Sequence, residues 1–309
     1  MAIETLWVEK YRPKTVTDYV WRDHAQHDQV MQWVSSKSIP HLLLSGAPGT
    51  GKTTLAKVLL NELEVEPMDI LQINASRDNG VEFIRSKIET FVSTMPFGDF
   101  KVVLLDEADY LSHNAQAVLR GLMESNSETA RFVMTCNYPN KIIPALHSRC
   151  QGFHIEKLDV TEFTARAATI LVTEAVEFDL DTLDSYVKAS YPDLRKCINS
   201  LQMSSVNKQL QAVTADSAGV DDYRLQAVEL FKAGRIRDAR KLLCSQVRAD
   251  EVEDVFRWLY DNVQLFSQKV EGQDRAIVII RNGLVNHSMV ADAEINLSAT
   301  LIELAGINE

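Results

Sequence analysis

With 309 residues, 46% of them hydrophobic, the chain has material for two or three packed domains, and none of its apolar runs approaches the ~18 residues that a membrane-spanning helix needs. A formal net charge of −11 excludes nucleic-acid binding through overall positive charge. Residues 1–157 hold 16 basic and 19 acidic side chains and residues 158–309 hold 16 and 24, so any DNA contact needs a local patch on the N-terminal half and weakens steeply with salt. Cys136, Cys150, Cys197 and Cys244 are far apart, without a C-x-x-C pair or histidine at ligand spacing, which predicts reduced thiols and no protein metal cluster. Met1-Ala2-Ile3-Glu4 lacks the charged and apolar parts of an export signal, so a cytoplasmic protein without a membrane partner is expected.

In chain order, the first strong element is an apolar strand over His41–Ser45. It runs into Gly46-Ala47-Pro48-Gly49-Thr50-Gly51-Lys52-Thr53, and Thr54–Leu60 then reads as a helix. This is the G-x-x-x-x-G-K-[ST] phosphate loop in its strand-to-helix setting. Glycines let backbone N–H groups curl around a phosphate chain while the helix presents its positive end. Lys52 supplies a cation for the β and γ phosphates, and Thr53 a hydroxyl for Mg²⁺. A nucleoside triphosphate is therefore the expected ligand, held by residues 46–54.

Strand-like runs follow at Asp69–Ala75, Lys101–Leu105, Arg131–Cys136 and Phe153–Glu156, with helical stretches between them. One helix shows its buried face through Val81, Ile84, Ile88 and Phe91. Such alternation predicts a parallel sheet covered on both faces. The Lys101–Leu105 run is apolar after its first residue and ends in Asp106-Glu107-Ala108-Asp109, at the strand edge where open α/β sheets place their sites. Asp106 is the expected magnesium partner and Glu107 the residue that polarises an attacking water. His41 and His147 have no nucleophile motif around them and read as structural.

The first domain is expected to be α/β over 1–157. Residues 158–218 read as a small helical domain, with Pro192 in the first turn of a helix carrying Leu194, Ile198 and Leu201. Ser204–Val220 reads as a linker, and 219–309 as an all-helical domain with Leu225, Val228, Leu230, Phe231, Val255, Trp258 and Leu259 inside.

Further motifs narrow the reading: Leu6-Trp7-Val8-Glu9-Lys10-Tyr11-Arg12-Pro13-Lys14, then Thr135-Cys136-Asn137, Ser148-Arg149-Cys150 and Pro192-Asp193-Leu194-Arg195-Lys196. In order and spacing they closely resemble the AAA+ ATPases of sliding-clamp loaders, the small subunits of replication factor C and their relatives in T-even phages, most strongly over residues 6–200. The resemblance implies an AAA+ module, α/β with a five-stranded phosphate-loop sheet and a small helical lid, followed by a helical collar.

It also implies roles. Val8 and Arg12 match the segment beside the adenine, Asn137 the first sensor of the γ-phosphate, and Arg195 the second sensor on the lid. Arg149 matches an arginine finger that acts in trans on a neighbouring subunit's nucleotide, where a planar cation offsets phosphoryl charge. DNA contacts fall on Arg77, Asn79, Arg85 and Ser112. The family usually has Asp-Asp-Arg-Gly where this chain has Arg77-Asp78-Asn79-Gly80, so its basic residue is missing at Asn79. Met95-Pro96-Phe97 resembles the apolar tip that docks on the clamp, the rival reading being an ordinary anchored loop.

The function so implied is an ATPase subunit that uses ATP and Mg²⁺, opens a sliding clamp and loads it on primer–template DNA. Its partners are the clamp, the DNA and other clamp-loader subunits, four copies of this chain with one companion in the phage pattern. Three alternatives remain at this stage. One is another AAA+ motor, either a branch-migration helicase or a protein remodeller. A DEAD-box helicase is the second, disfavoured by Thr135-Cys136-Asn137 standing where that class has Ser-Ala-Thr. The third is a structural subunit that binds ATP without cleaving it.

Overall fold

A computed structural model describes residues 5–22, 24–212, 223–248, 251–287 and 289–307. These residues fall into two compact units, one over 9–159 and the other comprising the described parts of 1–8 and 160–309. The short helix α1 (Trp7–Lys10) carries the chain from one to the other.

The first unit is a five-stranded parallel sheet of β1 (Leu42–Gly46), β2 (Ile70–Asn74), β3 (Lys101–Asp106), β4 (Ala130–Cys136) and β5 (Gln151–Ile155), in the order β2-β3-β4-β1-β5. Each strand lies within two residues of its expected start. Helices α2 (His24–Ser35), α3 (Lys52–Glu62), α4 (Val81–Val92), α5 (His113–Ser125) and the single turn α6 (Pro144–His147) connect or flank them.

Side-chain alternation sorts the strands' apolar residues onto the two faces. Leu42, Leu44, Val102, Leu104 and Val133 share a core with Val30 and Trp33 of α2 and Leu55, Val58 and Leu59 of α3. Leu43, Val103, Leu105, Phe132 and Met134 share the other with Ile84, Ile88 and Val92 of α4 and Ala115, Leu119 and Met123 of α5. Both faces being covered explains the unbroken apolar runs of β1 and β3, which show no polar alternation. At roughly 1.5–3 kcal/mol for each fully buried large side chain, these two cores hold the sheet.

The second unit is helical: α7 (Val160–Thr173), α8 (Leu180–Ser190), α9 (Leu194–Ser204), α10 (Tyr223–Lys232), α11 (Ile236–Gln246), α12 (Val252–Asp261), α13 (Val270–His287) and α14 (Ala293–Ala305). Two expectations need correction here. Pro192 does not lie in the first turn of α9: Asp193 is the cap, its Oδ1 accepting the Lys196 N–H at 3.0 Å, and Pro192 stands one residue before it. A side-chain acceptor outcompeted the proline as the start signal.

The stretch read as a linker from Ser204 begins instead with an antiparallel hairpin, β6 (Ser205–Val206) and β7 (Gln209–Leu210), turned by Asn207 and Lys208 at φ 51° and 60°. Two consecutive left-handed residues make the tight turn that hairpins favour. Glu177 fastens it, donating its N–H to Lys208 O at 2.8 Å and accepting from Leu210 N at 2.9 Å. Residues 213–222 of that stretch lie outside the described residues. Among the described residues no helix is long and apolar enough to cross a membrane.

Candidate nucleotide site

Because β4 lies between β1 and β3, the carboxyl ends of these three strands put the phosphate loop, Asp106-Glu107 and Asn137 side by side. The loop's shape requires glycine at two points. A Cβ on Gly46 (φ +153°) would sit 2.3 Å from Ile155 O, and Gly51 (φ +92°) holds a left-handed conformation against the Tyr19 ring. Gly51 is also the N-cap of α3 and brings no side-chain acceptor, so the first-turn N–H groups of the helix keep their capacity for an anion. Buried Lys52 donates from Nζ to Gly46 O at 3.0 Å and Ala47 O at 2.7 Å, which keeps its ammonium over the loop. Thr50 Oγ1 donates to Ala47 O at 2.9 Å and closes the turn.

Thr53 Oγ1 donates to Asp106 Oδ1 at 2.7 Å. Thr135, on β4, donates its hydroxyl proton to the same carboxylate oxygen and accepts the Glu107 N–H at 3.0 Å. Glu107 itself leaves the strand in a left-handed conformation, φ 57° and ψ 44°. That costs about 1–2 kcal/mol for a residue with a Cβ, and it frees Glu107 from the alternation that would send its side chain to the sheet face opposite Asp106. A hydroxyl and a carboxylate converging on one point are hard oxygen donors of the kind Mg²⁺ takes, so the residues fit that ion. Asp109 is buried and accepts from the N–H groups of Asn137 at 3.2 Å and Tyr138 at 3.1 Å, fixing the turn that carries Asn137 beyond β4. The Cys136 thiol beside this turn is pushed up to about 12 by burial and by the Asp109 charge, against a smaller opposing effect of Lys52, so it stays protonated and inert.

A family model described as "ATPase family associated with various cellular activities (AAA)" matches residues 42–157. The chain is 37% identical to the replication factor C small subunit of Staphylothermus marinus, over 98% of this chain and 95% of that protein. It is 35% identical to that of Aeropyrum pernix, over 97% and 95%. This chain belongs to the replication factor C small-subunit family. It is therefore an AAA ATPase and a clamp-loader subunit, and it binds ATP. Among solved structures, the Thermotoga maritima RuvB Holliday junction branch migration motor matches 81% of this chain and 90% of its own with a TM-score of 0.57; at 18% identity the likeness is one of fold alone.

Of the other residues expected to act in this family member, Arg149 follows α6 and is exposed. Its Nη2 pairs with Glu124 of α5 and its Nη1 donates to Ala145 O at 2.8 Å. Arg12 pairs with Glu9 at 3.1 Å in the first unit, whereas Val8 and Arg195 belong to the second. Arg77 and Asn79 are exposed in the turn after β2, and Arg85 is exposed on α4. Ser112 caps α5, accepting the Ala115 N–H at 3.2 Å. Met95 and Phe97 are 83% and 77% exposed and Pro96 is half-buried.

Sequence reasoning missed three residues of the site. Thr135 and Asp109 were read only as letters of longer motifs, although a hydroxyl and a carboxylate at adjoining strand ends are the groups that link such ends. Tyr19 was not singled out; it lines a shallow cleft with Val20, Trp21, Thr50 and Ile155, and donates its hydroxyl to Thr50 O at 3.4 Å. An aromatic pair, Tyr19 and Trp21, ahead of the phosphate loop was the available signal, with ring centroids 4.7 Å apart.

Proposed function

We propose that this chain binds ATP on Gly46–Thr54, holds Mg²⁺ between Thr53 and Asp106, and cleaves the γ-phosphate when a neighbouring subunit supplies Arg149 in trans. When bound there, Mg²⁺ would supply positive charge to offset that of the β and γ phosphates. Lys52 and the first-turn amides of α3 fix the phosphates, Glu107 orients and polarises the attacking water, and Asn137 senses the γ-phosphate. Arg12 and the Tyr19–Val20 cleft contribute to adenine binding, Val8 has the same role by family resemblance, and Arg195 acts as the second sensor of the nucleotide. The observation that carries this reading is the linkage of Thr53, Asp106, Thr135 and the Glu107 amide. It ties the metal-side carboxylate of Asp106 and the backbone N–H of Glu107 to one hydroxyl on the strand that Asn137 follows.

The assembled subunits open a sliding clamp and load it on primer–template DNA, with hydrolysis triggering release. Arg77, Asn79, Arg85 and the N-terminus of α5 at Ser112 follow the phosphate backbone without reading bases. Residues 1–157 serve as the nucleotide module, 158–218 as lid and 219–309 as collar. The assembly contains four copies and one companion subunit and works in the cytoplasm.

Phosphate release from the reconstituted complex with clamp and primer–template DNA tests the reading. Arg149→Ala is expected to lower turnover about 10³-fold with ATP affinity unchanged, the lower end of the range for such fingers. Undiminished turnover in that variant, or full turnover by the isolated subunit without clamp and DNA, would overturn it.

A further inference from the structure

The first unit contains two fully buried charged side chains that the nucleotide site does not use. Asp69 is 1% exposed and Lys101 is 3% exposed. Asp69 ends the 3-10 turn Pro67–Asp69 just before β2, and Lys101 begins β3, so both lie at the amino ends of strands whose carboxyl ends face the nucleotide. A strand of five residues separates the two edges by about 17 Å.

Both charges act on one segment. Asp69 Oδ2 accepts the N–H groups of Phe97 and Gly98, each at 2.8 Å. Lys101 Nζ donates to Phe91 O at 2.7 Å and to Thr94 Oγ1, and its ammonium lies 4.5 Å from the Phe91 ring centroid. The segment Thr94–Gly98 is thus held at its start by a cation and at its end by an anion. Asp69 Oδ1 is buried without a hydrogen-bond partner among the described residues. Burying charge and leaving one carboxylate oxygen unsatisfied destabilises a fold, and an apolar anchor would cost less if the conformation of the segment were immaterial.

The segment so fixed presents Met95 and Phe97 to solvent, and Met68, next to the anchoring aspartate, is 72% exposed. Glu66 and Asp99 are exposed beside them, with Glu66 Cγ and Asp69 Oδ2 both within 4.0 Å of where a Gly98 Cβ would lie. An apolar tip bordered by carboxylates repels DNA phosphates and suits an apolar protein pocket with a basic rim.

We propose that Asp69 and Lys101 are positioning residues that hold Met95, Pro96 and Phe97, together with Met68, as one preformed docking element for the sliding clamp. The inference rests on the reading of Met95–Phe97 as the clamp-docking tip. Its gain is preorganisation: a loop already in its bound form loses less conformational entropy on binding.

The test measures clamp affinity of the assembled complex with a non-hydrolysable ATP analogue, alongside ATP affinity, Tm and amide exchange. Phe97→Ala removes the contact itself, and Asp69→Asn and Lys101→Met remove one anchor each. Each anchor variant is expected to weaken clamp binding about 5- to 20-fold, to leave ATP affinity within about twofold, and to add no loss in the Phe97→Ala background. Asp69→Asn is also expected to speed exchange at the Phe97 and Gly98 amides. If Phe97→Ala binds the clamp normally, the docking reading falls and the inference with it. If Phe97→Ala binds weakly while both anchor variants bind normally, only the positioning role falls. Parallel losses of clamp affinity, ATP affinity and Tm in both anchor variants would mark general damage and overturn that role as well.

Discussion

At the carboxyl edge of the sheet, Thr53, Asp106 and Glu107 are linked through Thr135 and remain half-exposed, whereas at the amino edge Asp69 and Lys101 are sealed almost completely. One parallel sheet thus treats its polar groups in two ways. Half-exposed groups that share a hydrogen bond with one another can exchange it for a ligand, since little desolvation has been incurred in advance. Asp69 and Lys101, sealed and bonded to backbone, have no such freedom and fix the segment they hold. The half-exposed groups at one edge are therefore arranged for chemistry, and the sealed pair at the other, like buried Asp109 beside Asn137, for shape.

Lys52→Ala breaks the chemical edge most severely, because Lys52 is the one buried cation there among the described residues and it faces the loop carbonyls. Turnover is expected to fall at least about 10²–10³-fold, as for loss of one charge-stabilising donor, with weaker ATP binding and little change in clamp affinity for the nucleotide-free complex. Phosphate release and ATP titration check this. A variant that still turned over would show that the first-turn amides of α3 hold the phosphates alone.

Thr135→Val sharpens the comparison by keeping the side chain's shape and removing only its hydroxyl. Asp106 loses a donor and the Glu107 amide an acceptor. Turnover is expected to drop about 10- to 100-fold, the usual effect of removing a partner that orients metal-side ligands, with ATP affinity changed far less. Equal losses in affinity and turnover would make Thr135 a binding group instead.

These two residues also mark how far the sequence could be read. Lys52 was legible because a phosphate loop is contiguous: strand, glycines, cation and helix follow one another without interruption. The strands were legible for a similar reason, as runs such as Lys101–Leu105 carry burial on both faces in their own letters. Thr135 was not, because its role depends on β4 lying between β1 and β3, and no local pattern encodes the order of strands in a sheet. The pairing of Arg149 with Glu124 was hidden likewise, the two lying 25 residues apart on different elements. The hairpin at Ser205–Leu210 was read as linker because its strands are two residues long and its turn is Asn-Lys without glycine. Asp69 and Lys101 stood out only as the first residues of two strand-like runs, since burial of a charge shows only in three dimensions.

A third group at the amino edge gives the smallest expected effect. His41 immediately precedes β1, its Nδ1 accepts the Phe132 N–H at 3.1 Å, and its ring meets the Phe132 ring edge-on at 5.5 Å. Accepting a hydrogen bond requires Nδ1 to be unprotonated, and burial, reinforced by the Arg131 charge, holds the imidazole below its ordinary value of 6.5. The unfolded chain therefore binds a proton more readily than the folded one just under pH 6.5, and the favourable contribution, full above that value, is lost as pH falls toward the folded value. His41→Asn keeps an acceptor near the same place and does not titrate. Its Tm is expected to fall less than that of the unaltered chain between about pH 7.5 and pH 5, by a degree or a few, the scale of a few tenths of a kcal/mol to about 1 kcal/mol in a chain of this size. Parallel Tm curves across that range would mean that the amino edge tolerates protonation, and that its sealing serves Asp69 and Lys101 alone.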